Sequence, residues 1–357
     1  MIYLNYNDGC PISFEALDAY NRASKEYRFN FNNIDEIIKA SAKEVANLFN
    51  VMESEIIFTS GVIEANNLAL VGTALANQSK GNHIIVSKLE SKPFYKICDY
   101  LTSIGFEVSY VNNDKDGLID FDDLRNLVNE KTILVSISGV NGNMGIRQPL
   151  KMIRQIIKKV NPNTFLHSDL SNAIGRVGVN FYDVDLATVS SNMVFGPTGI
   201  GVLYRSESVK ISPLLYGSYM SCFEKSITLI DAFKVALKNS LLELEKKERF
   251  ITLLNEKIIK SLDRMPRIVL NKTNYSIPQT INLSIPNNAA MLIFKYLEEK
   301  NIIVHYEEGL DTSVMAVYQD KKRATNTLII SISYKTTTDE VNLFINELIN
   351  AYNKYCN

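Results

Sequence analysis

Between about residues 15 and 230, apolar stretches with helical spacing alternate with short β-branched runs: "NHIIVSK", "EVSYV", "TILVSIS", "TFLHSD" and "MVFG". This alternation predicts an α/β domain around a mostly parallel sheet. In such sheets ligands sit beyond the carboxyl ends of the strands. Attention therefore falls on the polar residues that end each run: Ser87-Lys88, Ser138 to Asn141, His167 to Asp169, and Ser190 to Asn192. A stretch with helical spacing, Leu229 to Leu262, predicts a spine leaving this domain. Beyond it, "QTINLSIP", "AAMLIFKYLEEKN", "IIVHY", "TLIISIS" and "TTDEVNLFINELINAYNKY" predict a smaller α+β unit. The expected division is 14–245 for the large domain, with 1–13 and 246–357 forming the small one.

Composition narrows the function. The chain has 357 residues, enough for a large core, and its 38 Lys and Arg nearly balance 39 Asp and Glu. No overall field attracts nucleic acid, and no run is long enough to span a membrane. The N-terminus, "MIYLNYNDGCPIS", lacks a basic segment followed by an apolar one, which places the expected location in the cytoplasm. Four scattered cysteines, Cys10, Cys98, Cys222 and Cys356, form no CxxC pair, so neither a metal site nor a disulfide framework is expected.

In order, the strand ends follow a known pattern. "EIIFTSGVIEANNLAL", "HIIVSKLESKPFYKICDYLTSIGFEVSYV", "GLIDFDDLRNLVNEKTILVSISGVNGNMGIRQPL", "FLHSDLSNAIGRVGVN" and "SSNMVFGPTGIGVLYRS" are collinear with motifs of one group of enzymes. The chain resembles the cysteine desulfurases, the NifS-like group of pyridoxal-phosphate (PLP) enzymes in the class V aminotransferase fold. The resemblance implies a PLP-dependent transferase type I fold, with a mostly parallel seven-stranded sheet in the large domain and a small α+β domain. It also implies a homodimer.

Carried over residue by residue, the resemblance exposes losses. A lysine must hold the PLP aldehyde as a Schiff base, and that position is Met193, whose thioether forms no imine. The preceding histidine is Asn192. The ring-stacking histidine is Ser91, and the neighbouring Lys92 approaches from the other face. The phosphate turn keeps Ser60 and Gly61, but Ile63 replaces a threonine hydroxyl. Ser190 and Thr228 fall where two further phosphate hydroxyls are implied, the second across a dimer interface. Asp169 matches the partner of the pyridinium nitrogen, and it reads equally well as a strand-end carboxylate capping the next turn. Asn141 and Asn172 match polar contacts near the ring hydroxyl. No cysteine occurs between Cys222 and Cys356, so the persulfide-forming thiol is missing, and the substrate-carboxylate arginine falls at Ile329.

Five losses that disable one reaction lead to the expectation of a degenerate desulfurase-like protein. It would carry no cofactor, or PLP only noncovalently, and act as a scaffold or regulatory partner. A genuine desulfurase or a sulfur-acceptor protein would be its partner, with no role for nucleic acid or membrane. Two alternatives remain open: a PLP-independent enzyme reusing the cavity, and an enzyme using noncovalent PLP or its amine form. A thiol chemistry by Cys222 with His167 is a further alternative.

Overall fold

The protein is described by a computed structural model covering residues 1–27, 34–214, 216 and 226–356. Its strands are β1 (Ile2–Tyr3), β2 (Ile56–Thr59), β3 (His83–Ser87), β4 (Glu107–Val111), β5 (Thr132–Ser136), β6 (Phe165–Asp169), β7 (Leu186–Ser190), β8 (Gly201–Arg205), β9 (Val269–Asn271), β10 (Thr280–Ser284), β11 (Ile302–Ile303), β12 (His305–Tyr306) and β13 (Thr327–Ser331).

Strands β2 to β8 form a seven-stranded sheet in the order β2-β8-β7-β6-β5-β3-β4. Strands β4, β3, β5, β6 and β7 run parallel, whereas β8 pairs antiparallel with both β7 and β2. Both faces are covered. Ile85, Val135, Leu166 and Val189 enter one apolar cluster, and their neighbours Ile84, Leu134, Phe165 and Leu186 enter another on the opposite face. This two-sided burial explains why the strands read as continuous apolar runs. After β4 the chain returns past β3 to lay down β5, so the strand order reverses between β3 and β5. A crevice opens at such a reversal, beyond the carboxyl ends of the strands.

Strands β12-β13-β10-β9 form an antiparallel sheet, and β1 pairs with β11 beside it. One face of the larger sheet presents Ile281, Leu283, Leu328 and Ile330 to the helices Leu244–Ser261, Ala290–Glu299 and Thr338–Tyr355. The opposite face is polar and meets the large domain. Asn282 Nδ2 donates to the carbonyl of Asn143 at 3.0 Å, and Asn7 bridges the two, its Nδ2 donating to Thr280 Oγ1 at 2.9 Å and to the Gly142 carbonyl at 2.6 Å.

Three local expectations differ from the structure. "MVFG" is not a strand: β7 ends at Ser190, Ser191–Val194 form a single 3₁₀ turn, and Phe195 is left-handed at φ 65°. A Cβ at Gly196 would lie 2.1 Å from Ser191 Oγ, so glycine lets this turn close. The expected spine is two helices, Ile227–Leu241 and Leu244–Ser261, broken at Glu243 with φ 50°. The break turns the chain from the large-domain core, which takes Phe233 and Leu237, to the small-domain core, which takes Leu254 and Ile258. Lys247 Nζ donates to the carbonyls of Asn239 and Ser240, which satisfies the end of the first helix. "IIVHY" splits at Val304, because Ile302–Ile303 pair with β1 and His305–Tyr306 with β13.

The last helix begins with a capping box. Thr337 Oγ1 accepts from the Glu340 amide at 3.2 Å, and the Glu340 carboxylate accepts from the Thr337 amide at 2.7 Å. Thr337→Ala removes one half of it. The expected cost is about 1 kcal/mol in chemical denaturation, with an unchanged denaturant slope.

Candidate functional site

A cavity of about 380 Å³ occupies the crevice at the strand reversal. Its floor comes from the residues after β3 (Leu89, Glu90, Ser91), after β5 (Ser138, Val140, Asn141, Gly142, Asn143), and at and after the end of β6 (Asp169, Asn172). Asn7 and Asp8 of the N-terminal segment, His305 and Glu307 of the small domain, and Thr312 and Ser313 complete it. A second, more apolar lobe of about 570 Å³ shares Ser91, Lys92, Pro93 and Asp169 and continues along Val62, Ile63 and Asn66.

Asp169 is half-buried at the floor. Its Oδ2 accepts from Asn66 Nδ2 at 2.9 Å and its Oδ1 from the Ser171 amide at 2.9 Å. Burial raises its carboxyl above the ordinary value, and these hydrogen bonds only partly oppose the shift. Glu90 is buried, accepting from the Ser138 amide at 2.6 Å and Ser138 Oγ at 2.5 Å. Burial pushes it up to about 7, with a smaller contribution from the Asp169 charge. At the mouth, Lys92 Nζ pairs with Glu307 Oε1 at 2.7 Å, and His305 joins Asp8 at 2.7 Å and Glu307 at 3.4 Å. These bonds hold His305 up at about 9 and Glu307 down at about 2.

The residues singled out in the sequence are placed unequally. Asp169, Asn141, Asn172 and Ser91 line the cavity. Asn141 is internally committed: its Nδ2 donates to the Leu89 carbonyl and Ser313 Oγ, and its Oδ1 accepts from the Met144 amide. Asn172 keeps an unpartnered Oδ1. Ser60 is exposed, and its amide donates to the Glu64 carboxylate at 2.6 Å. Gly61 takes φ 140°, a conformation suited to glycine, at the start of the helical run after β2. Ile63, 69% exposed, borders the apolar lobe. Ser190 Oγ donates to Asn192 Oδ1 at 2.6 Å, and Thr228 Oγ1 meets Ser226 Oγ at 2.9 Å. Lys92 is tied to Glu307.

Met193 does not line this cavity. It borders a separate void of about 20 Å³ with Tyr6, Cys10 and Phe195, and its carbonyl accepts from Cys10 Sγ at 3.4 Å. Ile329 is buried on the polar face of the small sheet, in register with both Asn282 and His305. Cys222 lies outside the described residues. His167 is a fully enclosed core histidine. Its nitrogens meet Ser136 Oγ at 2.8 Å and Thr188 Oγ1 at 3.1 Å, and burial lowers its pKa to about 3. Both nitrogens are engaged, so the reactive-histidine alternative does not survive this placement.

Sequence reasoning missed Glu90, Asn66, Asp8, His305 and Glu307. Glu90 was visible beside Ser91, but its burial comes from the packing of Ser138 against it. The other four are joined by tertiary contacts between segments up to 297 residues apart, as His305 and Asp8 show. No group of His, Cys, Asp or Glu suited to a metal occurs among the described residues, and no helix among them is long and apolar enough to cross a membrane.

A mostly parallel sheet reversing at β3/β5, a smaller antiparallel sheet beside it and a half-buried aspartate in the crevice define a class: α/β proteins with a ligand crevice at the strand ends. The family model "Aminotransferase class-V" matches residues 16–344, and the chain belongs to that family, in its cysteine desulfurase-like group. It is 30% identical over 328 residues to the cysteine desulfurase IscS of Dictyoglomus turgidum, covering 87% of this chain and 80% of that one. It is 31% identical over 317 residues to the IscS of Methanosarcina thermophila, covering 85% and 76%. A solved NifS-like protein superposes with a TM-score of 0.93 at 25% identity, over 99% of each chain.

This membership corrects one expectation. A protein without a cofactor conflicts with a family of PLP-dependent desulfurases, and the expectation of none is withdrawn. Tested against PLP, the residues fit in part. Asp169, half-buried and lining the cavity, and the orphaned acceptor of Asn172 suit the polar ring end. Met193 offers no covalent anchor, and Ser91 no stacking ring.

The ion network at the mouth makes stability depend on pH in both directions. Glu307 has a depressed folded pKa, so its contribution is present above about 4.3, its unfolded value, and is lost as pH falls toward 2. His305 has a raised one, so its contribution is complete below about 6.5 and is lost as pH rises through 9. Melting temperature should fall at both limits, and Glu307→Gln should flatten the acid limb while only reducing the alkaline one, because Asp8 still holds His305.

Proposed function

We propose that this chain is a cysteine desulfurase-like protein that does not turn over cysteine and acts by binding, as a scaffold or regulatory partner. A sulfur-transfer protein or a genuine desulfurase is the partner most consistent with the family. A homodimer, and a domain division near residue 245, belong to the same reading. The observation that carries it is the placement of Met193: the residue at the lysine position is buried beside a small void bordered by Cys10 and Phe195, and it is absent from the lining of the cavity that holds Asp169. Two supporting observations concern the substrate. The segment leading to β13 carries no cysteine and is folded into the helices Thr312–Tyr318 and Lys321–Ala324. The position expected to clamp a carboxylate is the apolar Ile329.

When bound, PLP supplies an electron sink, and Asp169 is the residue that would hold its ring nitrogen. Asn172 would accept a hydrogen bond at the ring end. The glycine turn at Gly61, with Ser190, Asn192 and Thr228, is the candidate phosphate end. Ser190 must first give up its bond to Asn192. Membership of a PLP-dependent family favours retention of this group over a cavity with wholly new chemistry, and Asp169 is kept at the crevice floor.

The test is sulfide release from cysteine with PLP and reductant. The wild type should release none above a protein-free control. Met193→Lys should release none either, because thiol and clamp are still missing. Sulfide release by the wild type would overturn the reading. Release by the variant would show that the lysine alone had been limiting.

A further inference from the structure

The small domain reaches over the crevice through one turn, Glu307 to Asp311, between β12 and the helix Thr312–Tyr318. The two ends of this turn are anchored differently. Asp311 is fully buried and caps the helix, its Oδ1 accepting from the Ser313 and Val314 amides at 3.0 and 3.1 Å. Its Oδ2 accepts from Asn282 Nδ2 at 2.9 Å. The helix behind it packs Val314 and Val317 against Leu89, Leu118, Met144 and Ile146, so this end is fixed by apolar contact. Between the anchors Glu308, Gly309 and Leu310 are exposed, and Gly309 takes φ 84°, a conformation suited to glycine.

The other end is fixed by charge. The Glu307 side chain is only 13% exposed, and three donors from separate parts of the chain converge on it. Lys92 meets Oε1 at 2.7 Å, while His305 and Asn143 meet Oε2 at 3.4 and 3.3 Å. His305 is held in turn by Asp8 at 2.7 Å, and Asp8 by Asn5 Nδ2 at 2.9 Å. An isolated exposed ion pair contributes little, but this one belongs to a linked network with a mostly enclosed carboxylate at its centre. Lys92 and Asn143 line the large-domain side of the crevice, and His305 and Glu307 the small-domain side. The network therefore ties one lip of the crevice to the other. Its outermost member is Lys92, 66% exposed, so the Lys92–Glu307 bond is the one most open to water.

We propose that the turn from Glu307 to Asp311 is a flap over the crevice, hinged at Asp311 and latched by Glu307 to Lys92, and that release of the latch sets how fast the crevice exchanges its contents with solvent. The flap is built from this chain's own residues and stands whether or not cysteine is turned over. Its test uses Lys92→Met, which removes the latch at an exposed position and leaves Asp311 and its helix untouched. Lys92→Arg keeps the charge. Lys96→Met removes a neighbouring lysine, 86% exposed, that meets Asp99 and has no part in the network.

Amide hydrogen exchange of the full-length protein without PLP reads the flap directly. In Lys92→Met two amides should exchange about threefold faster or more: Glu307, bonded to the Thr327 carbonyl, and Ser138, bonded to Glu90 at the floor. The amides of Met315 to Tyr318 should be unchanged, which separates a flap from general destabilisation. Lys92→Arg and Lys96→Met should match the wild type. Stopped-flow absorbance with PLP should show capture and release both accelerated about threefold or more in Lys92→Met, at an unchanged dissociation constant, because a latch acts on passage alone. Unchanged exchange at Glu307 and Ser138 overturns the proposal, as does equal acceleration in the helix, or faster exchange with unaltered PLP rates. If PLP does not bind, its noncovalent retention falls instead, and the exchange result decides the flap by itself.

Discussion

Burial of the parallel sheet on both faces is the constraint on which the rest depends. Once helices cover both sides, the strands can carry polar chemistry only at their ends, and the reversal between β3 and β5 opens one crevice for it. Glu90 and Ser138 lie there because they follow the two strands that flank the reversal, and Asp169 because it ends the next. The crevice then needs a roof. The polar face of the small sheet supplies it, bonded through Asn282 to Asn143 and through Thr280 to Asn7.

The same construction lets the side chain at position 193 vary while the fold is kept. The loop after β7 is held by its backbone: Cys10 N donates to the Asn192 carbonyl at 2.7 Å, and Ser13 N to the Phe195 carbonyl at 2.9 Å. Neither bond requires a particular side chain at position 193. A methionine there fills space beside Cys10, Tyr6 and Phe195, and its flexible thioether suits an irregular gap. Family membership and this local substitution are therefore compatible. The first is written in strands and turns, and the second in one residue that does not line the crevice.

Much of the fold was legible from the chain alone, because it depends on local pattern. The runs around His83, Thr132 and Phe165 are strands where expected, and the final helix starts at its capping box. The errors fell where tertiary packing overrode pattern: the left-handed residues Phe195 and Glu243, and the division of "IIVHY" between two sheets. Asp169 was legible as a candidate because it ends a strand. The network of Asp8, Lys92, His305 and Glu307 was not, since no spacing rule joins residues from the chain's two ends. The absence of a cofactor was inferred from missing side chains, and family membership corrected it.

The central claim is that Met193, at the position where the family resemblance implies the cofactor lysine, offers no amine to capture the cofactor covalently. Intact-mass measurement after borohydride reduction of the protein with equimolar PLP, followed by peptide mapping, tests it most directly. The account predicts no stoichiometric adduct and no single labelled peptide. One adduct per chain, mapped to a lysine that lines the crevice such as Lys92, would contradict it.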